Sequence, residues 1–164
     1  MAFQQTSHLI GAQAIATTST TKLHPLGTIV TATDDTLGVG EFIYLKGVAS
    51  TVVGSIVNYD DNFQTALDTS AAGGPPRPLA VAMSANVASQ YGWYQIAGLA
   101  VATKANTVSF ADGAALGATA GLAVAAVTAV VIQNAVVRTV ASAKSNVTTV
   151  AIAINRPCDP IEAN

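Results

Sequence analysis

The apolar positions of this chain come in short β-branched and aromatic runs, nearly all closed by Gly, Asn, Asp or Ser. In residues 41–46, Glu41, Ile43 and Leu45 alternate with Phe42, Tyr44 and Lys46, the two-residue period of a pleated strand with apolar groups on both faces. The same reading predicts strands over residues 27–33, 41–46, 51–59, 79–83, 91–97, 99–103, 107–110, 122–133, 136–140 and 147–155. Residues 34–40 read as a turn between the first two, and Gly54 marks a bulge or a close backbone approach. Residues 60–78 are expected to form a long surface loop, because the prolines of Pro75-Pro76-Arg77-Pro78 cannot donate ladder hydrogen bonds and Gly73-Gly74 is costly to order. A loop of that length is a candidate contact site. The Ala-rich stretch around residues 114–129 is left open between strand and short helix, since alanine is the best helix former. Short strands at this spacing predict an all-β fold, a β-sandwich or a barrel.

Residues 1–25 are mainly Gln, Thr, Ser and Ala with scattered apolar positions, and they end at His24-Pro25. They read as an extended N-terminal arm that orders when laid along a neighbour, with edge-strand addition as the mode. The β-rich domain then covers residues 26–157, and residues 158–164 form a C-terminal tail.

Charge changes the picture of the surface. Only 10% of residues are charged, and residues 113–137 carry no charge at all, whereas globular proteins average about 25%. So much uncharged surface is expected to be covered, and a closed homo-oligomer, trimer preferred over dimer, is the expected cover. The formal net charge is -2, with Lys and Arg spread singly along the chain. No basic stripe exists to neutralise phosphates, which argues against nucleic-acid binding. The apolar run of residues 114–132 has about the length of a membrane span. It is built chiefly of Ala, Thr and Gly without flanking Trp, Tyr or Lys anchors, so it reads as strands buried in protein. The first residues lack the cationic start and apolar run of a secretory signal.

Candidate chemistry is sparse. The histidines are His8 and His24, both in the arm and neither beside an obvious nucleophile and acid. Asp34-Asp35 and Asp60-Asp61 sit beside turn formers and lack the alternating ligand pattern of a calcium loop, so they read as turn caps. Gly38-Val39-Gly40 precedes a strand and offers no helix N-terminus to a dinucleotide phosphate. The single cysteine, Cys158, forms no intrachain disulfide and reads as a small inert residue. Tyr91, Trp93 and Tyr94 fit a core or subunit contact, with a ligand platform as the alternative. No cofactor or metal is implied, and the chain does not read as an enzyme. The residues expected to make contacts are Phe3, His8, Leu9 and Ile10 in the arm, Pro75, Pro76 and Arg77 in the loop, and Trp93 and Tyr94.

Taken in order, Leu26-Gly27-Thr28, Gly38-Val39-Gly40-Glu41-Phe42-Ile43-Tyr44-Leu45-Lys46-Gly47-Val48-Ala49, Tyr91-Gly92-Trp93-Tyr94-Gln95-Ile96-Ala97-Gly98 and Asn155-Arg156-Pro157 resemble the decoration or cement proteins of tailed-bacteriophage heads. The resemblance is one of segment order and texture. It implies a tulip or jelly-roll β-module that self-associates on a symmetry axis, binds the major capsid protein from outside and stabilises the head. Two rivals stand beside it. One is another β-structured virion protein, such as a tail-tube or fibre component. The other is a carbohydrate-binding module using Trp93 and its flanking tyrosines.

Overall fold

A computed structural model describes residues 4–5, 13–69, 76–86, 88–126, 131–138 and 147–159. The described residues form strands and no helix: β1 (Gln4–Gln5), β2 (Thr18–Ser19), β3 (Ile29–Asp34), β4 (Gly38–Lys46), β5 (Ile56–Tyr59), β6 (Thr65–Leu67), β7 (Leu79–Ala82), β8 (Tyr91–Thr103), β9 (Leu116–Thr119), β10 (Leu122–Ala125), β11 (Gln133–Val137) and β12 (Thr149–Cys158). The fold is all-β, and among the described residues every ladder between these strands is antiparallel.

Strand β8 organises the molecule. Along one edge it pairs with β4, from Lys46↔Tyr91 to Glu41↔Ala97. Along its other edge it meets three partners in succession, β2 at Tyr91 and Gly92, β7 at Tyr94 and Gln95, and β12 from Ala97 to Thr103. From β4 the sheet continues through β3 to β1, from β7 through β5 to β6, and from β12 to β11. The β4–β8 register slips between Glu41 and Phe42, leaving Ile96 as the extra residue of a bulge. Gln95, fully buried, fills the bend: its Nε2 donates to the carbonyls of Ala97 and Leu99 at 3.1 Å each. Gly98 follows with φ +100°, and a Cβ there would collide with the Val39 carbonyl oxygen. Glycine is required at this point for both conformation and space.

Three cores result. Around the largest, the second half of β8, β12, β11, β9 and β10 form a ring, closed by the single bridges Ala115↔Val136 and Lys104↔Ala123. Each strand of the ring sends side chains inward: Ala100 and Ala102, then Val150, Ile152 and Ile154, then Val137, then Leu116 and Ala118, then Ala123. Small alanines of β8, β9 and β10 share this core with the larger Val150, Ile152 and Ile154 of β12. A second core holds Ile15, Val30, Ala32, Phe42, Tyr44, Met83 and Trp93, and a third holds Ile43, Leu45, Val57, Ala80, Ala82, Tyr94 and Ile96. Strands β4 and β8 serve both of these with their two faces, as the mixed apolar alternation of residues 41–46 requires.

Several expectations are corrected. Residues 13–25 are not a free arm: Ile15 is buried in the second core, and β2 pairs with β8 of the same chain. β1 likewise pairs with β3 within the chain, Gln4↔Thr33 and Gln5↔Ala32. The expected strand addition therefore occurs in cis. Residues 51–55 turn before β5, with Gly54 at φ +86° packed against the backbone of Val101 and Thr103. The expected loop at 60–78 contains β6. The expected strands 91–97 and 99–103 are one continuous strand, whereas residues 107–110 form no strand. Residues 116–125 form the β9–β10 hairpin, whose turn at Ala120-Gly121 has positive φ at both positions. Cys158 closes β12, so the expected tail begins later.

Candidate functional site

The aromatic group singled out in the sequence lies inside the fold. Trp93 and Tyr94 are both 0% exposed, on opposite faces of β8 and in different cores, so neither reaches a partner or a ligand at the surface. Burial pushes the Tyr94 hydroxyl up to about 12, with the side chains of Thr65 and Asn86 pulling the other way. Trp93 is covered by the segment expected to be an arm. Its Nε1 donates to Gln13 O at 2.9 Å, Tyr44 Oη donates to Gln13 Oε1 at 3.0 Å, and the Gln13 amide N–H donates to His24 Nε2 at 3.1 Å. Gln13 Nε2 also donates to Thr17 O at 2.6 Å. His24 is 8% exposed, with its ring 5.1 Å from Tyr44 and 5.4 Å from Trp93. Expected as an arm residue, it is a member of the core. Sequence alone gave no reason to join Gln13 and His24 to an aromatic pair so far along the chain.

Of the other expected contact residues, Phe3, His8, Leu9, Ile10 and Pro75 lie outside the described residues. Pro76 and Arg77 are exposed. Pro76 and Pro78, on either side of Arg77, form a ledge on an open cleft of about 310 Å3, walled by Tyr59, Ile96, Arg156 and Cys158. The motif Asn155-Arg156-Pro157 shapes the opposite wall. There Gln133 pairs with Cys158 and Ala135 with Ile154, so β12 bulges between them. Arg156 takes φ +49° in the bulge, is exposed, and donates from Nη2 to Glu41 Oε2 at 2.7 Å. Desolvation raises the Tyr59 hydroxyl above its ordinary range, against the opposing field of Arg156. The cleft presents proline and tyrosine surfaces, with the Arg156–Glu41 ion pair at one side.

The paired aspartates act as turn caps. Asp34 Oδ1 accepts from the amides of Thr36 and Leu37 at 2.9 Å, and Asp60 Oδ1 from those of Asn62 and Gln64 at 2.9 Å. The Gln64 amide is the largest cause holding the Asp60 carboxyl below its ordinary range. Lys104, which the sequence reading passed over, is 3% exposed. Its Nζ donates to the carbonyls of Ala105, Val108 and Val147, joining the loop after β8 to the chain before β12. Among the described residues no group of three or more His, Cys, Asp or Glu is placed to hold a metal ion, and no helix is long and apolar enough to cross a membrane. No protein-family model, curated protein or solved structure matches the chain.

Proposed function

We propose that this chain is a structural virion protein that binds the outer surface of a bacteriophage capsid and stabilises the head by bridging major capsid protein subunits. In this reading it is made in the bacterial host cytoplasm, acts without catalysis or cofactor, and works as a homo-oligomer, trimer preferred. The tulip or jelly-roll topology implied by the resemblance belongs to the same proposal. The observation that carries it concerns the two longest resembling segments, residues 38–49 and 91–98. They lie side by side as β4 and β8, paired from Glu41↔Ala97 to Lys46↔Tyr91, with Gly40 and Gly98 packed together at the bend. The resemblance thus falls on the part of the chain that sets the fold, and not on interchangeable surface loops.

The exposed residues Pro76, Arg77 and Pro78, of which the two prolines line the cleft, are the proposed contact with the shell. Rigid proline surface loses little conformational entropy on binding, and many copies on one particle make weak individual contacts sufficient. The carbohydrate-binding rival loses its support, because Trp93 and Tyr94 are sealed in the interior. The test is co-sedimentation of the purified chain with expanded heads that lack it, followed by cryo-EM of the complex. Saturable binding reduced by Arg77→Glu is expected. Recovery with purified tails and absence from heads would decide for a tail component instead.

A further inference from the structure

The wide cleft beside Pro76 and Pro78 shares a wall with a small pocket in the largest core. The pocket holds about 10 Å3, and its walls, which include Ile56, Val81, Leu116, Ile132, Ala135 and Ile152, expose only apolar surface. That is room for about one group the size of a water or a methyl. Leu79 and Pro157 line both spaces. Both are buried, so they are at once the floor of the cleft and the outer wall of the pocket. Topology brings them together: Leu79 opens β7, Pro157 lies near the end of β12, and the bridge Pro78↔Cys158 joins the two segments.

Arg156 is the only charged side chain among the described residues that line the cleft. Glu41, which accepts from Arg156 Nη2 at 2.7 Å, does not line it, so the ion pair presents its cation to the cleft and keeps its anion outside. A guanidinium carries five N–H donors in a planar fork, and a bond from one nitrogen to Glu41 leaves donors for a second carboxylate. Tyr59 lines the same cleft within the field of Arg156. Burial raises its hydroxyl above the ordinary range, so it keeps its proton and is a second donor.

Apolar walls with a few well-placed polar groups are the make-up of a small-molecule site. We propose that the cleft binds a small aliphatic carboxylate, its head on Arg156 and Tyr59 and its tail running over Ile96 and Leu79 to end at the apolar pocket. The cation selects the head, because a charge-assisted hydrogen bond is stronger than one to a neutral group. The pocket selects the tail, because a terminal methyl that enters it leaves water for walls that expose only apolar surface. The proposal goes beyond the capsid reading: it concerns what enters the cleft of the free protein and does not depend on contact with a shell.

The experiment titrates the full-length chain, labelled with 15N, with sodium acetate, butyrate and hexanoate and with 1-hexanol at neutral pH. The amides of Tyr59, Leu79, Ile96 and Arg156 are followed by NMR. Saturable shifts with hexanoate are expected at about 1 mM, with affinity rising about 3-fold per methylene along the series. Hexanol should bind about 10-fold more weakly than hexanoate, a gap that Arg156→Gln closes. Ala135→Leu fills the pocket from β11 and should weaken hexanoate by about 3-fold or more while leaving acetate unchanged. Equal affinity for acetate and hexanoate in the wild type, which needs no variant to fold, would overturn the proposal. So would hexanol bound as tightly as hexanoate, or shifts that miss these four amides.

Discussion

Replacement of Trp93 by alanine separates a core role from a surface role most cleanly. The side chain is fully enclosed by Ile15, Phe42, Tyr44 and Met83, and it carries the 2.9 Å bond to Gln13 O that pins residues 13–19 onto the domain. Truncating a buried aromatic costs about 3–5 kcal/mol through lost burial and the cavity left behind. The substitution also removes a ring centred 5.0 Å from Tyr44 and 5.4 Å from His24, so the upper half of that range is expected. With a urea slope of about 2.5 kcal/mol per molar, a loss of about 4 kcal/mol lowers the unfolding midpoint by about 1.6 M. Trp93 is the single tryptophan, so the assay must be far-UV circular dichroism, with near-native content at zero urea as the control. Pro76→Ala and Arg77→Ala, both exposed, should stay within about 0.5 kcal/mol of the wild type. A Trp93→Ala midpoint as close to wild type as theirs would refute the reasoning, since it would mean that residues 13–19 do not seal the second core.

The remaining expectations address other parts of the fold. Gly98→Ala should cost about 3 kcal/mol or more, because it adds a collision with the Val39 carbonyl to a φ of +100°; denaturant melts check this, and a neutral effect would place the bend elsewhere. Lys104→Met removes the donor shared by the carbonyls of Ala105, Val108 and Val147, so a loss of about 2–4 kcal/mol is expected by calorimetry. Glu41→Gln breaks an ion pair whose side chains are 59% and 38% exposed and should change stability by less than about 1 kcal/mol. For association, native mass spectrometry at micromolar concentration should show a closed oligomer; a folded, strictly monomeric species would count against the proposed assembly.

The all-β character was legible in the sequence because its cause is local. Alternation in residues 41–46 reflects the two-residue period that a pleated strand imposes, and the apolar run at 79–83 and the β-branched run at 147–155 suit strands buried in the fold. Turn caps at Asp34 and Asp60 were legible for the same reason, since each carboxylate bonds amides two to four residues away. The Ala-rich stretch was ambiguous by composition. Only its tertiary placement decided for a hairpin over residues 116–125, with Ala118 paired to Ala123 and both buried in the largest core. Tertiary structure also decided that residues 13–25 belong to the domain. Nothing near Gln13 in sequence announces that its backbone and amide will meet His24, Tyr44 and Trp93, since Tyr44 and Trp93 are brought together by the pairing of β4 with β8. That placement is a product of long-range strand pairing, which a local pattern of residues does not encode.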